Sequence, residues 1–158
     1  MVDEQTLDQD ARWMAYALEL AQQGAEQGEA PIGAVLVDSA KQVVIGQAHN
    51  EPIGLHDPTG HAEVLAIRRA AAALENYRLP PDVTLYVTLE PCTMCAGLIS
   101  HARVSRLVYG ASDPKGGAIE HGVRFFEQKT CHHRPKVMSG VLAEPCGTLL
   151  RDFFRARR

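Results

Sequence analysis

The sequence predicts an α/β fold, a mixed sheet with helices on both faces. Two observations predict it. Segments with apolar residues at helical spacing alternate with short runs rich in β-branched residues, and the order is helix, hairpin, then helix and strand by turns. A hairpin pairs antiparallel while strands linked through helices pair in parallel, so a sheet holding both is mixed. No internal repeat, low-complexity tract or Gly/Ser/Pro linker interrupts the pattern, and 158 residues can bury a sizeable core, so one domain over 1–158 is expected.

The elements follow in order. Asp8–Gly24 carries Met14, Ala17, Leu18 and Ala21 at helical spacing, with Gly24 and Gly28 as stop signals. Ile32–Asp38 and Val43–His49 are apolar runs joined by the polar SAKQ, which reads as a hairpin. His61–Glu75 puts Val64, Ile67, Ala71 and Leu74 on one face of a second helix. Val83–Thr88 is a buried strand by composition, and Pro91 suits the first turn of a helix running to about His101. Arg106–Gly110 is the next strand. Asp113–Pro135, rich in Gly and His, reads as loop with a short helix at Val123–Gln128. Lys136–Leu142 is a last strand, and Cys146–Arg157 a terminal helix with Leu149, Leu150, Phe153 and Phe154 facing inward.

Composition excludes several classes. A hydrophobic content of 46% with 22% charge lies outside the disordered range. The longest apolar runs, such as Pro31–Val37, fall far short of a membrane span, and the acidic start MVDEQTLDQDAR lacks the features of a secretory signal. A cytoplasmic location is therefore expected, with no membrane partner and no structural disulfides. The net charge of -3 argues against charge-driven, non-specific nucleic-acid binding, although RDFFRARR at the end holds four arginines.

In a reducing compartment, four cysteines read as metal ligands, catalytic groups or small buried hydrophobes, the last being the reading for Cys146. His61-Ala62-Glu63 precedes Pro91-Cys92-Thr93-Met94-Cys95 by about thirty positions. Zinc takes imidazole nitrogen and thiolate sulfur, and a Cys-x-x-Cys pair at a strand-to-helix turn offers two sulfurs where the helix end favours the thiolate form. His61, Cys92 and Cys95 are three candidate ligands, the number that leaves a catalytic zinc open to water. Glu63 is the candidate proton shuttle beside that water. Cys-x-x-Cys alone is equally compatible with a structural zinc or a redox pair. His-x-Glu followed by Pro-Cys-x-x-Cys, however, is the pattern of zinc nucleobase deaminases.

With PIGAVLV at 31–37, HNEPIGLHDPTGHAE at 49–63, NYRL at 76–79, TLYVTLEPCTMCAG at 84–97 and LLRDFFRARR at 149–158, the chain resembles the bacterial tRNA adenosine deaminases of the cytidine-deaminase superfamily over nearly its whole length. The resemblance implies a three-layer α/β/α sandwich around a five-stranded mixed sheet of the cytidine-deaminase type. It also implies one zinc per subunit, a homodimer with active sites near the interface, and conversion of adenosine to inosine at the wobble position of a tRNA anticodon stem–loop. Carried over by position, His61, Cys92 and Cys95 hold zinc and Glu63 moves protons. Asn50, otherwise an ordinary turn residue, contacts the flipped-out purine, the backbone at Ala62 meets the base edge, and Asp113 lies near the flanking nucleotides. On the terminal helix, Phe153 and Phe154 read as packing residues and Arg155, Arg157 and Arg158 as a solvated face. The family's use of that helix against the stem–loop makes Phe153 and Arg157 candidate substrate contacts.

The departure from the family lies in 113–135, where Ile119, Glu120 and His121 replace a run of small residues and Phe125, Phe126, Cys131, His132 and His133 follow. Phe125 and Phe126 have three readings: stacking on unpaired bases, a lid over a smaller pocket, or core packing. Two further functions stay open. One is a paralogue that deaminates a free nucleobase, nucleoside or related amino-heterocycle. The other is a structural zinc module that binds RNA without catalysis, with Cys131 or His132 as fourth ligand.

Overall fold

The computed structural model describes Asp3–Arg157. Helix α1 (Glu4–Glu26) starts a turn before its apolar periodicity because Asp3 caps it, accepting the Thr6 N–H at 2.8 Å. Strands β1 (Gly33–Asp38) and β2 (Val43–His49) form the expected hairpin. Helix α2 (Ala62–Leu74), strand β3 (Val83–Leu89), helix α3 (Thr93–His101) and strand β4 (Arg106–Ala111) follow. A single 3-10 turn (Phe125–Glu127) takes the place of the short helix predicted at 123–128. Strand β5 (Lys136–Met138) and helix α4 (Ala143–Arg155) complete the chain.

The sheet runs β2-β1-β3-β4-β5, antiparallel across β1/β2 and β1/β3, parallel across β3/β4 and β4/β5. Alternate side chains feed opposite faces. Ala34, Leu36, Leu85, Val87, Leu107 and Tyr109 point toward α2 and α3, whereas Val35, Val37, Tyr86 and Val108 meet Met14, Ala17 and Leu20 of α1 and Cys146 of α4. The result is the three-layer sandwich with a five-stranded mixed sheet. Two glycines permit the close layering: a Cβ at Gly33 would collide with the Ala17 carbonyl of α1, and one at Gly46 with the Ala66 carbonyl of α2.

Three boundaries differ from expectation. Pro91 lies outside α3, because Cys92, with extended backbone, is the cap. Strand β5 stops at Met138, where Gly140 (φ +84°) turns the chain; Leu142 (φ 53°) then opens α4 three residues earlier than the apolar pattern indicates. Phe154 does not face inward. It is 48% exposed, and Leu149, Leu150 and Phe153 are only half-buried and belong to neither core cluster, which leaves Cys146 as the buried residue of the helix. Cys146, the buried residue of α4, fits against Gly110, and burial pushes its thiol up to about 12, as suits a small hydrophobe. Arg158 lies outside the described residues.

One buried ion pair ties three elements together. Asp10 on α1, wholly shielded from solvent, receives both guanidinium nitrogens of Arg106 on β4 at 2.7 and 2.6 Å and the Tyr86 hydroxyl of β3 at 2.8 Å. Removing one member strands the others. Asp10→Ala is therefore expected to lower stability by about 3 kcal/mol or more, read from urea unfolding midpoints. Arg106→Ala should cost at least as much, because it leaves the shielded Asp10 carboxylate with the Tyr86 hydroxyl but no cation, whereas the partly exposed Arg106 can reach water when Asp10 is removed.

Candidate metal centre and substrate pocket

Two helices begin side by side at the end of the sheet where β2 and β3 finish, and their caps carry the donors. His61 caps α2 and Cys92 caps α3, both with extended backbone. Cys95 sits one turn into α3 and is fully buried. Neither cap uses its side chain to satisfy its own helix, so imidazole and thiol turn toward each other. His61 Nδ1 lies 3.6 Å from Cys92 Sγ and 3.5 Å from Cys95 Sγ, and all three donor atoms fall within 4.8 Å of one another. A tetrahedral ion with ordinary zinc–sulfur and zinc–nitrogen bonds separates its N and S donors by about 3.5 Å, so the set fits such an ion.

The electrostatics favour a cation. In the metal-free chain the Cys92 thiol falls to about 4, first through its hydrogen bond with Cys95 and then through His61, while the same Cys95 bond and burial push Cys95 upward. The contact between the two sulfurs thus favours the thiolate form at Cys92. His61 is raised above its ordinary value, chiefly by its bond with Cys92. Among the described residues this trio is the single group of three or more donors close enough to hold an ion. Cys131 and His132 are not in it. Cys131 instead lies against Ser100 and the His133 carbonyl near the far end of α3, which removes the four-ligand arrangement that the structural-zinc reading requires.

A cavity of about 240 Å³ opens beside the trio, bordered by His61, Cys92, Asn50 and Glu63, by Ile32 and Leu89, and by Glu90, Asp113 and Gly116. Glu63, in the first turn of α2, is 4% exposed, and burial pushes its carboxyl above its ordinary value. Asn50 Oδ1 accepts the Ala62 N–H at 2.7 Å. Because a backbone N–H only donates, the oxygen of Asn50 must face Ala62 and its NH2 must point elsewhere. The backbone of Ala62, expected near a base edge, thus bonds Asn50 through its N–H.

The remaining candidates lie elsewhere. Phe126 is in the core under α3 and Phe125 packs against the same cluster, their rings edge to face at 6.0 Å. Neither borders the cavity; core packing is the reading of the three that matches their position. Phe153 belongs to α4, on the opposite face of the sheet, and Arg157 lies just past the end of that helix, its guanidinium 3.6 Å from the centre of the Phe153 ring. They too stand outside the cavity.

Sequence reasoning missed Glu90. Its carboxylate has no exposed surface, yet it accepts N–H groups of Asp113, Ile119, Glu120 and His121 at 2.9 to 3.2 Å and the His121 Nδ1–H at 2.8 Å. The available signal was a lone acid ending the apolar run VTLYVTLEP. Burial alone would raise its carboxyl, but these bonds together hold it below its ordinary 4.5. Its stabilisation is therefore complete above pH 4.5 and is lost as pH falls through the lower folded value. Urea midpoints of wild type and Glu90→Gln should accordingly differ at pH 7 and converge in acid.

Comparison with known proteins places this arrangement in context. A family model described as MafB19-like deaminase matches residues 8–158. The tRNA-specific adenosine deaminase of Haemophilus influenzae is 53% identical over 149 residues, 94% of this chain and 85% of that protein. That of Agrobacterium fabrum is 53% identical over 146 residues, 92% of this chain and 94% of its own. A solved structure from work on A-to-I editing by tRNA:A34 deaminases at the wobble position superposes with a TM-score of 0.84 at 52% identity, covering 88% of this chain and 99% of that one.

Proposed function

The chain belongs to the tRNA-specific adenosine deaminase family, and from that premise we propose that it hydrolyses adenosine to inosine at the wobble position of a tRNA anticodon, using one zinc held by His61, Cys92 and Cys95. The observation that carries the reading is the spacing of the donors, at tetrahedral N–S distance and beside a cavity that a buried carboxylate and a carboxamide share. Held there, zinc would supply Lewis acidity that makes a water a nucleophile at neutral pH.

The chain's own groups do the rest. Asn50 directs its NH2 into the cavity, where it suits an acceptor nitrogen of the purine, and it holds the first turn of α2 in place through Ala62. Glu63 takes the proton released as the attacking oxygen adds to C6 and passes it to N1. It then takes the proton of the new C6 hydroxyl and delivers it to the amino group, so that the C6–N bond breaks, ammonia leaves and the carbonyl of inosine remains. A carboxyl raised by burial suits the double task, because it must accept a proton and give it back at the same pH.

Within this reading the enzyme works as a cytoplasmic homodimer. No described helix is long and apolar enough to cross a membrane. Exposed Ile53 and Leu55 precede His61 in the chain and exposed Met94 lies between the two cysteine ligands, apolar side chains that a second subunit would cover.

The test is ammonia release by the zinc-loaded protein from an anticodon stem–loop with adenosine at the wobble position, beside free adenine, guanine, cytosine and their nucleosides. Inosine in the stem–loop is expected, and turnover confined to a free base would sink the reading. Glu63→Gln should keep its zinc and lose activity by about a hundredfold or more, since acid–base catalysis by one group contributes at least that much. His61→Ala should instead lose the metal, as measured by metal analysis of the dialysed protein.

A further inference from the structure

The segment 113–121 forms one wall of the cavity through Asp113 and Gly116. Its hold on the protein is unusual. One carboxylate, Glu90, gathers five N–H groups from nine residues of chain: Oε1 accepts from Asp113 N and His121 Nδ1, and Oε2 from the backbone of Ile119, Glu120 and His121. The segment wraps the carboxylate so closely that a Cβ at Gly117 would overlap it. Glu90 and Pro91 link β3 to the cap residue Cys92, and the Pro91 carbonyl accepts the Ala118 N–H. The wall is thus fastened to the turn that carries a metal ligand. Two side chains of the segment supply further fastenings: His121 bonds Glu90, and Glu120 accepts the Tyr109 hydroxyl of β4.

From this geometry we infer that the Glu90–His121 pair is a positioning latch, which holds 113–121 against the metal-bearing turn and so sets where Asp113 and Gly116 meet the bound nucleotide. The part of the inference that concerns the nucleotide rests on the RNA-acting reading. His121 is the tie that can be removed without opening the core, because its side chain is 35% exposed while the carboxylate it serves has none. Four backbone bonds to Glu90 remain when it goes, so the segment loosens rather than unfolds. The reacting groups Glu63, His61, Cys92 and Cys95 lie on α2 and α3 and keep their places. A loosened wall therefore weakens substrate binding more than it slows the chemical step.

The test uses the metal-loaded full chain with His121→Ala and His121→Gln. Amide hydrogen exchange is measured at 113 and 119–121, and kcat and KM on the wobble-adenosine stem–loop. His121→Ala should exchange about tenfold faster at those amides and raise KM by about tenfold, the scale of one hydrogen bond to a charged group, with kcat within about twofold and metal content unchanged. Gln keeps an N–H donor and should recover most of both effects. Unchanged exchange and unchanged KM in His121→Ala would overturn the latch, as would a joint fall of kcat and metal content. If the wild type does not turn over the stem–loop, the RNA reading fails, and the exchange data alone still decide whether the latch exists.

Discussion

The rest of the site depends on one constraint: two helix N-termini must arrive at the same end of the sheet within about 4 Å of each other's cap side chains. His61 caps α2 and Cys92 caps α3, and neither spends its side chain on its own helix. Sheet order delivers this. Strand β2, which leads to α2, and strand β3, which leads to α3, flank β1 and are both antiparallel to it, so they run in the same direction and release their helices from the same end. The donors then converge without strained backbone at either ligand cap, and the two positive helix ends favour the thiolate that a cation needs.

Two buried carboxylates keep that end in register, at different depths of the fold. Asp10 joins α1 to β3 and β4 through Tyr86 and Arg106, fixing the helical layer remote from the site. Glu90 gathers the loop that walls the cavity. Both are fully shielded charges with several donors each, the condition under which a buried anion is tolerable. Glu63, by contrast, is buried with its carboxyl raised, and that is the state useful to a group that must exchange protons.

Much of the fold was legible because its signals are local. The hairpin at 33–49, the strand ending at Leu89 and the helix over 62–74 follow from β-branched runs and 3.6-residue periodicity. The boundaries that differed were set by single-residue backbone choices, the Asp3 cap of α1 and the left-handed Leu142 before α4, to which hydrophobic patterning is blind. That Asn50 borders the cavity and bonds the backbone of Ala62 at 2.7 Å left no mark in the chain, since the two are twelve positions apart.

The sequence by itself determined the chemistry. Ligand type, the Cys-x-x-Cys interval and a glutamate two residues after the histidine are properties of residue identity and spacing, and they survive without coordinates. Tertiary structure decided which distant residues share the cavity. Glu90 and His121 lie thirty-one positions apart yet meet at 2.8 Å, whereas Phe125, Phe126, Phe153 and Arg157, plausible by type, ended under α3 or across the sheet. The reason is physical. Metal affinity and acidity are set by the donor atoms themselves, whereas membership of a pocket depends on strand order and on which side of the sheet a segment returns to, and neither leaves a local mark in the chain.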